Sequence, residues 1–380
     1  MNFKKSVYES CEEHKKLREF LISKGFDNLK DEDQYRMMAP MINLEDALHM
    51  RQIDSAIFEE EFRQYNGYHL EEEAPNEKGD VLVSGAVPCP IKVPLIEALK
   101  DFSPKQKEDI NFDLRSANLG MDFVTEKFKR DEILPDLITS AGYELVLDED
   151  IYREIERSYV APTQQIGKEF KERGVDLVDP NGKLHIFSIV PAVFIVNKDL
   201  LKGREMPKSW EELLSGEFKN SLSIPVSDLD MYNALVLTIY AHFGLDGIKK
   251  LRECFHSNLH PAQMVKTRNK PACVSIAPYF FASMIQSPSL VQIWPKEGAI
   301  VSPIFMTAKK DRLAQVQPAI DYFLSDSVSE IFSFHGKFPC TREGIDNHLS
   351  PEQKFLFAGW DLLNNRRREV QDMVKEYFKL

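Results

Sequence analysis

"VPAVFIVNKDLLKGREMPKSWEELLSGEFKNSLSIP", residues 190–225, decides how this chain is built. With the preceding "KLHIFSI" (183–189) it opens as two adjoining apolar runs separated by Pro191. Such runs, rich in Val, Ile and Phe, read as buried strands, and a proline removes a ladder donor, so the spacing predicts two strands broken at Pro191. Ser209 followed by Glu212 is a capping box that starts a short helix, and "SLSIP" (221–225) is a new strand. A chain that leaves one α/β lobe in extended form and begins another reads in this way.

Working outward, "VLVSGAV" (81–87), "INFDLRSA" (110–117) and "DLITSAGYELVL" (136–147) are short apolar runs set between helical patterns. They predict βα units and a largely parallel sheet. Beyond the central stretch, a helix is capped at Ser227 or Asp228 and closed by Gly244, "ACVSIAPYFFASMI" (272–285) and "AIVSPIFMTAK" (299–309) are further strand candidates, and "SPEQ" (350–353) opens a helical tail. Residues 1–70 read as a small all-helical module, with a helix over Leu17, Phe20 and Leu21 stopped at Lys24-Gly25 and another capped by Asn43. "EEEAPNEKGD" (71–80) is the linker. The expected fold is α/β, two-lobed with a hinge, preceded by the helical module; lobe 1 spans 81–190 with a return segment from about 300 to 380, and lobe 2 spans 191–300.

The chain has 380 residues and a formal charge of −12. That length exceeds what one hydrophobic core usually serves. That charge argues against a nucleic-acid or anionic-membrane partner. Five scattered cysteines, Cys11, Cys89, Cys254, Cys273 and Cys340, show no metal-knuckle or disulfide-framework spacing, and read as reduced thiols. Glu9, Glu12 and Glu13 interrupt the start where a secretory leader needs an apolar run, and no run is long enough to span a bilayer. As written the chain reads as cytoplasmic; it reads as periplasmic or extracellular if a leader has been trimmed from it.

The 190–225 stretch resembles the hinge crossing of type 2 periplasmic solute-binding proteins of ABC transporters: a strand ending in Asn, a P-x-S-W-E-E-L-L helix, then the first strand of the second lobe. "SIAPYFFASM" (275–284), "IWPKEGAIVSPIFMTAKK" (293–310) and "AIDYFLSDSVSEIFSFHGKFPC" (319–340) continue the likeness in order, as the ligand-loop strand, the returning hinge strand, and a helix with a G-x-x-P end. The resemblance covers about residues 80–345 and is to the ferric-iron-transporter-like subset. It implies binding of a small polar solute or metal-chelate between two lobes that close, no catalysis, and an ABC permease or a cytosolic protein as partner. "HKKLREFLISKGF" (14–26) through "MINLEDALHMRQIDSAIFEEEF" (41–62) resembles a small helical domain of unassigned function, without the cysteine that often follows its glycine-phenylalanine step. No cofactor is specified by any of these patterns.

In this architecture ligands meet the loops that leave strand C-termini, where helix starts present unpaired N–H groups. Four loops qualify. The first holds Ser84, Gly85, Pro88 and Cys89, and a helix start beside Cys89 either favours a thiolate there or leaves a small packed thiol. The second holds Ser140, Ala141 and Gly142. The third, "SDLDMYN" (227–233), holds Asp228 and Asp230, which cap the helix or welcome a cation, and Tyr232, which faces the cleft or the core. The fourth holds Tyr279, at a position matching a ligand tyrosine of the resembled family. Phe280 and Phe281 follow it where iron-binding members carry a second tyrosine, and Glu297 lies near the returning strand. A second reading is an intracellular enzyme or ligand sensor on the same scaffold, with Cys89 as a reactive thiol. His256 and His260, four apart beside Pro261, read as a loop rather than a metal pair.

Overall fold

The computed structural model describes residues 1–24, 26, 29–51, 53, 55, 58–59, 62, 80–117, 121–129, 134–163, 165–226, 229–258, 264, 272–366 and 369–370. It divides into two compact units, Met1–Asn76 and Glu77–Leu380.

The first unit is built from helices α1 (Val7–Glu13), α2 (Leu17–Ser23), α3 (Glu32–Met38) and α4 (Leu44–Met50). Each is seven residues, too short to hold alone, so caps and a shared core do the work. Ser6 and Glu9 form a reciprocal box before α1, with Glu9 N donating to Ser6 Oγ at 3.1 Å and Ser6 N to Glu9 Oε2 at 2.9 Å. Asp31 caps α3, and Asn43 Oδ1 accepts from Asp46 N at 2.7 Å before α4. Leu17, Leu21, Leu44 and Leu48 are buried, and Phe20 meets Phe58 with ring centres 5.1 Å apart. Gly25 and the linker up to residue 79 lie outside the described residues.

The second unit is one twisted sheet in the order β2-β1-β3-β10-β5-β8-β6-β7. Its strands are β1 (Val81–Val87), β2 (Ile110–Ser116), β3 (Leu137–Ala141), β4 (Tyr159–Val160), β5 (His185–Asn197), β6 (Leu222–Ser223), β7 (Phe255–Ser257), β8 (Val274–Pro278), β9 (Leu290–Ile293), β10 (Ala299–Lys309) and β11 (Phe355–Leu356). Every antiparallel pair involves β5 or β10, while β1, β2 and β3 on one side and β6, β7 and β8 on the other pair in parallel. The expectation of a largely parallel sheet therefore holds inside each lobe and fails at the join, where two long strands cross in opposite directions.

Pro191 does not break the chain: β5 is one strand of thirteen residues. The ladder explains why. Ile189 N donates to Pro339 O and Phe187 O accepts from Thr341 N, so the odd residues of β5 face away from β10. On that side β8 begins only at Ala192, so the donor Pro191 lacks falls in a gap between partners. Pro303 occupies the same alternation on β10, opposite Ile189, while its carbonyl accepts from Gly142 N at 2.8 Å. The two crossing strands thus each carry a proline where one lobe hands over to the other.

Helices fill both faces. They include α5 (Cys89–Phe102), α6 (Asp122–Lys129), α7 (Glu144–Leu147), α8 (Trp210–Leu213), α9 (Leu229–Cys254), α10 (Tyr279–Ala282) and α11 (Leu313–Phe323). Gly244 (φ +61°, ψ −163°) interrupts α9, so the run is two helices across a break. Trp210, fully buried, stands edge-on to Phe194 at 4.6 Å and donates Nε1–H to Gly298 O at 2.9 Å. "SPEQ" forms a turn rather than a helix. Ser350 N donates to Gln353 Oε1 at 2.7 Å, after which Phe355 N bonds Arg173 O at 2.9 Å and β11 joins β10. The pull of a strand partner and of Arg173 overrides the local cap. His256 lies in β7, and His260 lies outside the described residues.

Candidate functional site

The strand C-termini of both lobes converge beside the crossing strands. In lobe 1, β1 stays paired with β2 through Val87, so the loop begins three residues later than the position of Ser84-Gly85 suggested. Ser84 is fully buried in mid-strand. Gly85 lies so close to its neighbour that an added Cβ would fall 1.8 Å from Thr139 O, which makes it a packing glycine. Neither residue is at the loop. Pro88 is the N-cap of α5 and Cys89 its first residue, half-buried, with Pro90 next. No side chain caps this helix start. The first turn of α5 packs on Gly336, since a Cβ there would meet Ile91 Cγ2 at 2.7 Å.

Ser140 and Ala141 end β3 as buried residues. Gly142 follows with φ +81°, a conformation that favours glycine. An added Cβ there would fall 2.2 Å from Asp230 Oδ1. Asp230 belongs to the first turn of α9 in lobe 2, and its carbonyl accepts from Ser302 Oγ at 3.3 Å on the crossing strand β10. The carboxylate of one lobe therefore stands directly on the bare backbone of the other lobe's loop.

Tyr279 opens α10 immediately after β8, whose last residue, Pro278, is in register with Ala192 of β5. Its ring is edge-on to Trp294 at 5.3 Å. Phe280 faces the other way, 6.2 Å from Phe338 of lobe 1 and 5.2 Å from Phe281. The aromatic wall therefore spans the lobes through Phe280 and Phe338. Phe338 was not among the residues singled out from the sequence. Its signal was the G-x-x-P end at Gly336, which marks a chain reversal but gives no hint of what the intervening phenylalanine touches.

Two sequence candidates go elsewhere. Glu297 accepts from Trp210 N at 3.0 Å and from Glu211 N at 3.1 Å, so both carboxylate oxygens cap α8. Both oxygens are thus engaged in holding the start of that helix. Tyr232 is 3% exposed within the core, and burial pushes its phenol above the ordinary range. Asp228 lies outside the described residues. The contacts that cross between the lobes are Gly142 with Asp230 and Phe280 with Phe338.

The chemistry of this set is mixed. The loops around these contacts carry the start of α5 with its half-exposed thiol, one carboxylate, one phenol and an aromatic pair. None of the five cysteines is in a disulfide. Burial raises Cys11 and Cys254 to about 11 and Cys340 to about 12, leaving Cys89 as the half-exposed thiol. Among the described residues no three His, Cys, Asp or Glu side chains gather as a metal site, and Tyr279 has phenylalanines where a second phenolate is needed. The described residues do not fit a bare ferric ion. No described helix is long and apolar enough to cross a membrane.

A family model described as bacterial extracellular solute-binding protein matches residues 132–366, and one described as a domain of unknown function (DUF1858) matches residues 1–58. Among solved structures the chain is similar to the periplasmic binding protein AfuA from Actinobacillus pleuropneumoniae, with exogenous fructose-6-phosphate bound. That pair is 16% identical over 80% of this chain and 99% of that one, with a TM-score of 0.57. Ferric iron-binding protein A from Mannheimia haemolytica, in an open conformation, is 14% identical over 78% and 98% with a TM-score of 0.57. The ferric binding protein from Campylobacter jejuni is 14% identical over 78% and 99% with a TM-score of 0.58. No curated protein matches by sequence. At these identities the structural likeness is one of fold.

Proposed function

We propose, because the chain belongs to the bacterial extracellular solute-binding protein family, that it binds a small polar solute or metal-chelate between its two lobes and that hinge closure is the functional event. The observation that carries this reading is the stacking of Asp230 on Gly142, which couples the two lobes at the mouths of their strands. The prolines of β5 and β10 sit at the crossing, and the crossing strands are the part of the sheet that bends as the lobes move. Closure would bring the start of α5, the loop at Gly142 and the Tyr279 phenol around one solute and exclude water from the polar contacts made there.

The mixed charge favours a ligand that is itself mixed, with a hydroxyl or cationic group for Asp230 and an anionic or carbonyl group for the start of α5. Sugar phosphates and hydroxycarboxylate chelates of iron both meet that description. No bond need be made or broken, and recognition of the closed form by an ABC permease completes the cycle. Thermal unfolding across a panel of sugar phosphates and ferric chelates tests the reading. A ligand that raises the midpoint in the native protein and fails to do so after Asp230→Asn supports it; a panel extended to cell extract with no stabilising fraction sinks it.

A further inference from the structure

The first unit carries an unusual surface. Five of the chain's twelve methionines fall in its first fifty residues. Among the described residues of this unit, every exposed large apolar side chain is a methionine: Met37 at 64%, Met38 at 43%, Met41 at 82% and Met50 at 76%. Its leucines and phenylalanines are buried or half-buried instead. Among the described residues of the second unit the pattern is reversed, with Met121, Met231, Met264 and Met306 buried, Met206 half-buried and Met284 exposed. A surface selected for greasiness alone would use leucine or isoleucine as readily. The exposed large apolar side chains described in the first unit all carry sulfur.

Three of these sulfurs share one helical face. Met37 and Met38 end α3, and the chain continues as a 3-10 turn over Ala39–Met41 with Met38 and Ala39 still in right-handed helical geometry. Met37 and Met41 are therefore four apart and Met38 and Met41 three apart on a continuing helix, the spacings that put side chains side by side. Buried Ala39 and the proline at residue 40 fix the turn between them. Thioethers are soft, neutral ligands that carry no proton at any ordinary pH and have little affinity for hard cations.

We propose that Met37, Met38 and Met41 form a thioether site for a soft monovalent metal ion, Cu(I). Three neutral sulfurs on flexible stems match the low coordination number and softness of that ion, and their exposure leaves it an open path from solvent. The site belongs to the first unit alone and does not depend on the solute-binding reading. Because no ligand has to lose a proton, affinity stays level from pH 7 to about pH 5, whereas a thiolate or imidazole site weakens over that range.

The test uses the full chain and Ag(I), a redox-inert stand-in for Cu(I). Peroxide oxidation of each methionine is followed by peptide mass spectrometry with and without the metal, because a sulfur lone pair held by a metal cannot take up oxygen. The expected result is slower oxidation at Met37, Met38 and Met41, by about tenfold or more, with Met284 unaffected as the internal control. Competition with a chromophoric Cu(I) chelator under ascorbate then compares the native chain with the Met37→Leu, Met38→Leu, Met41→Leu triple variant, which keeps the apolar face and removes the sulfur. A loss of affinity of about tenfold or more in the variant, unchanged between pH 7 and 5, confirms the site. Equal protection at Met284, no protection at the cluster, or unchanged affinity in the leucine variant overturns it. That last outcome assigns the face to an apolar partner or the metal to the thiols.

Discussion

The contact between Gly142 and Asp230 can be measured as a coupling energy. Gly142→Ala places a Cβ 2.2 Å from Asp230 Oδ1, 2.6 Å from its Cγ and 2.7 Å from its Cβ, all too close for real atoms. The substitution carries two separable costs. Left-handed backbone for a residue with a Cβ costs about 1–2 kcal/mol wherever Asp230 is. Overlap with Asp230 adds a further cost of about 0.5–3 kcal/mol, the usual range of coupling between touching residues. Asp230→Ala would leave the offending Cβ, so the partner change is Asp230→Gly, itself costing up to about 1 kcal/mol near a helix start. The double variant Gly142→Ala, Asp230→Gly should then be less destabilised than the sum of the singles, by that coupling. Urea unfolding of the four proteins, followed by the tryptophan fluorescence of the second unit, gives the cycle. Strictly additive single effects, within about 0.3 kcal/mol, would refute the stacking and with it the assignment of these two residues to one site.

Other expectations follow from the same geometry. Glu297→Ala should lower stability by about 1–2 kcal/mol through loss of the α8 cap while leaving solute affinity unchanged; a selective loss of affinity would return Glu297 to the site. His185, buried at the start of β5, is held by desolvation at about 4 against its ordinary 6.5. The unfolded chain therefore takes up a proton first: the stability this neutral imidazole contributes is full above about pH 6.5 and falls by about 3 kcal/mol by pH 4. His185→Phe should flatten that limb in urea titrations, and an unchanged acid slope would count against it. Trp210→Ala should cost about 3–5 kcal/mol, read as a lower urea midpoint; a loss below about 1 kcal/mol would mean the indole is not the anchor described. Iodoacetamide at pH 8 should label Cys89 first, ahead of the four buried thiols; simultaneous labelling would show that the buried set is open to solvent.

How far the sequence reveals this fold depends on the range of the interaction. Local signals served well: β1 starts and ends where "VLVSGAV" does, Asn43 caps α4, and Ser209 accepts from Glu212 N at 3.0 Å as the capping box requires. Non-local pairing did not show. Pro191 looks like a strand breaker until its missing donor is seen to face a gap between partners, and "SPEQ" looks like a helix start until Arg173 and β10 claim the residues after it. Glu297 reads as a cleft carboxylate because nothing near it in sequence announces that its partners are Trp210 and Glu211. For the same reason Ser84 and Gly85 read as loop residues: the glycine signals a close approach, and only the register shows that the approach is to Thr139 in mid-sheet. The second lobe's contribution, Asp230 over Gly142 and Phe280 against Phe338, required both crossing strands to be in place before either pair could be seen.

The central claim is that a solute draws the two lobes together. Native mass spectrometry of the full chain purified without added ligand identifies what the cleft retains, and small-angle scattering during titration of the stripped protein with that solute measures the response. The account predicts a saturable fall in radius of gyration that tracks occupancy and is lost in Asp230→Asn. Full occupancy with an unchanged radius of gyration would contradict it.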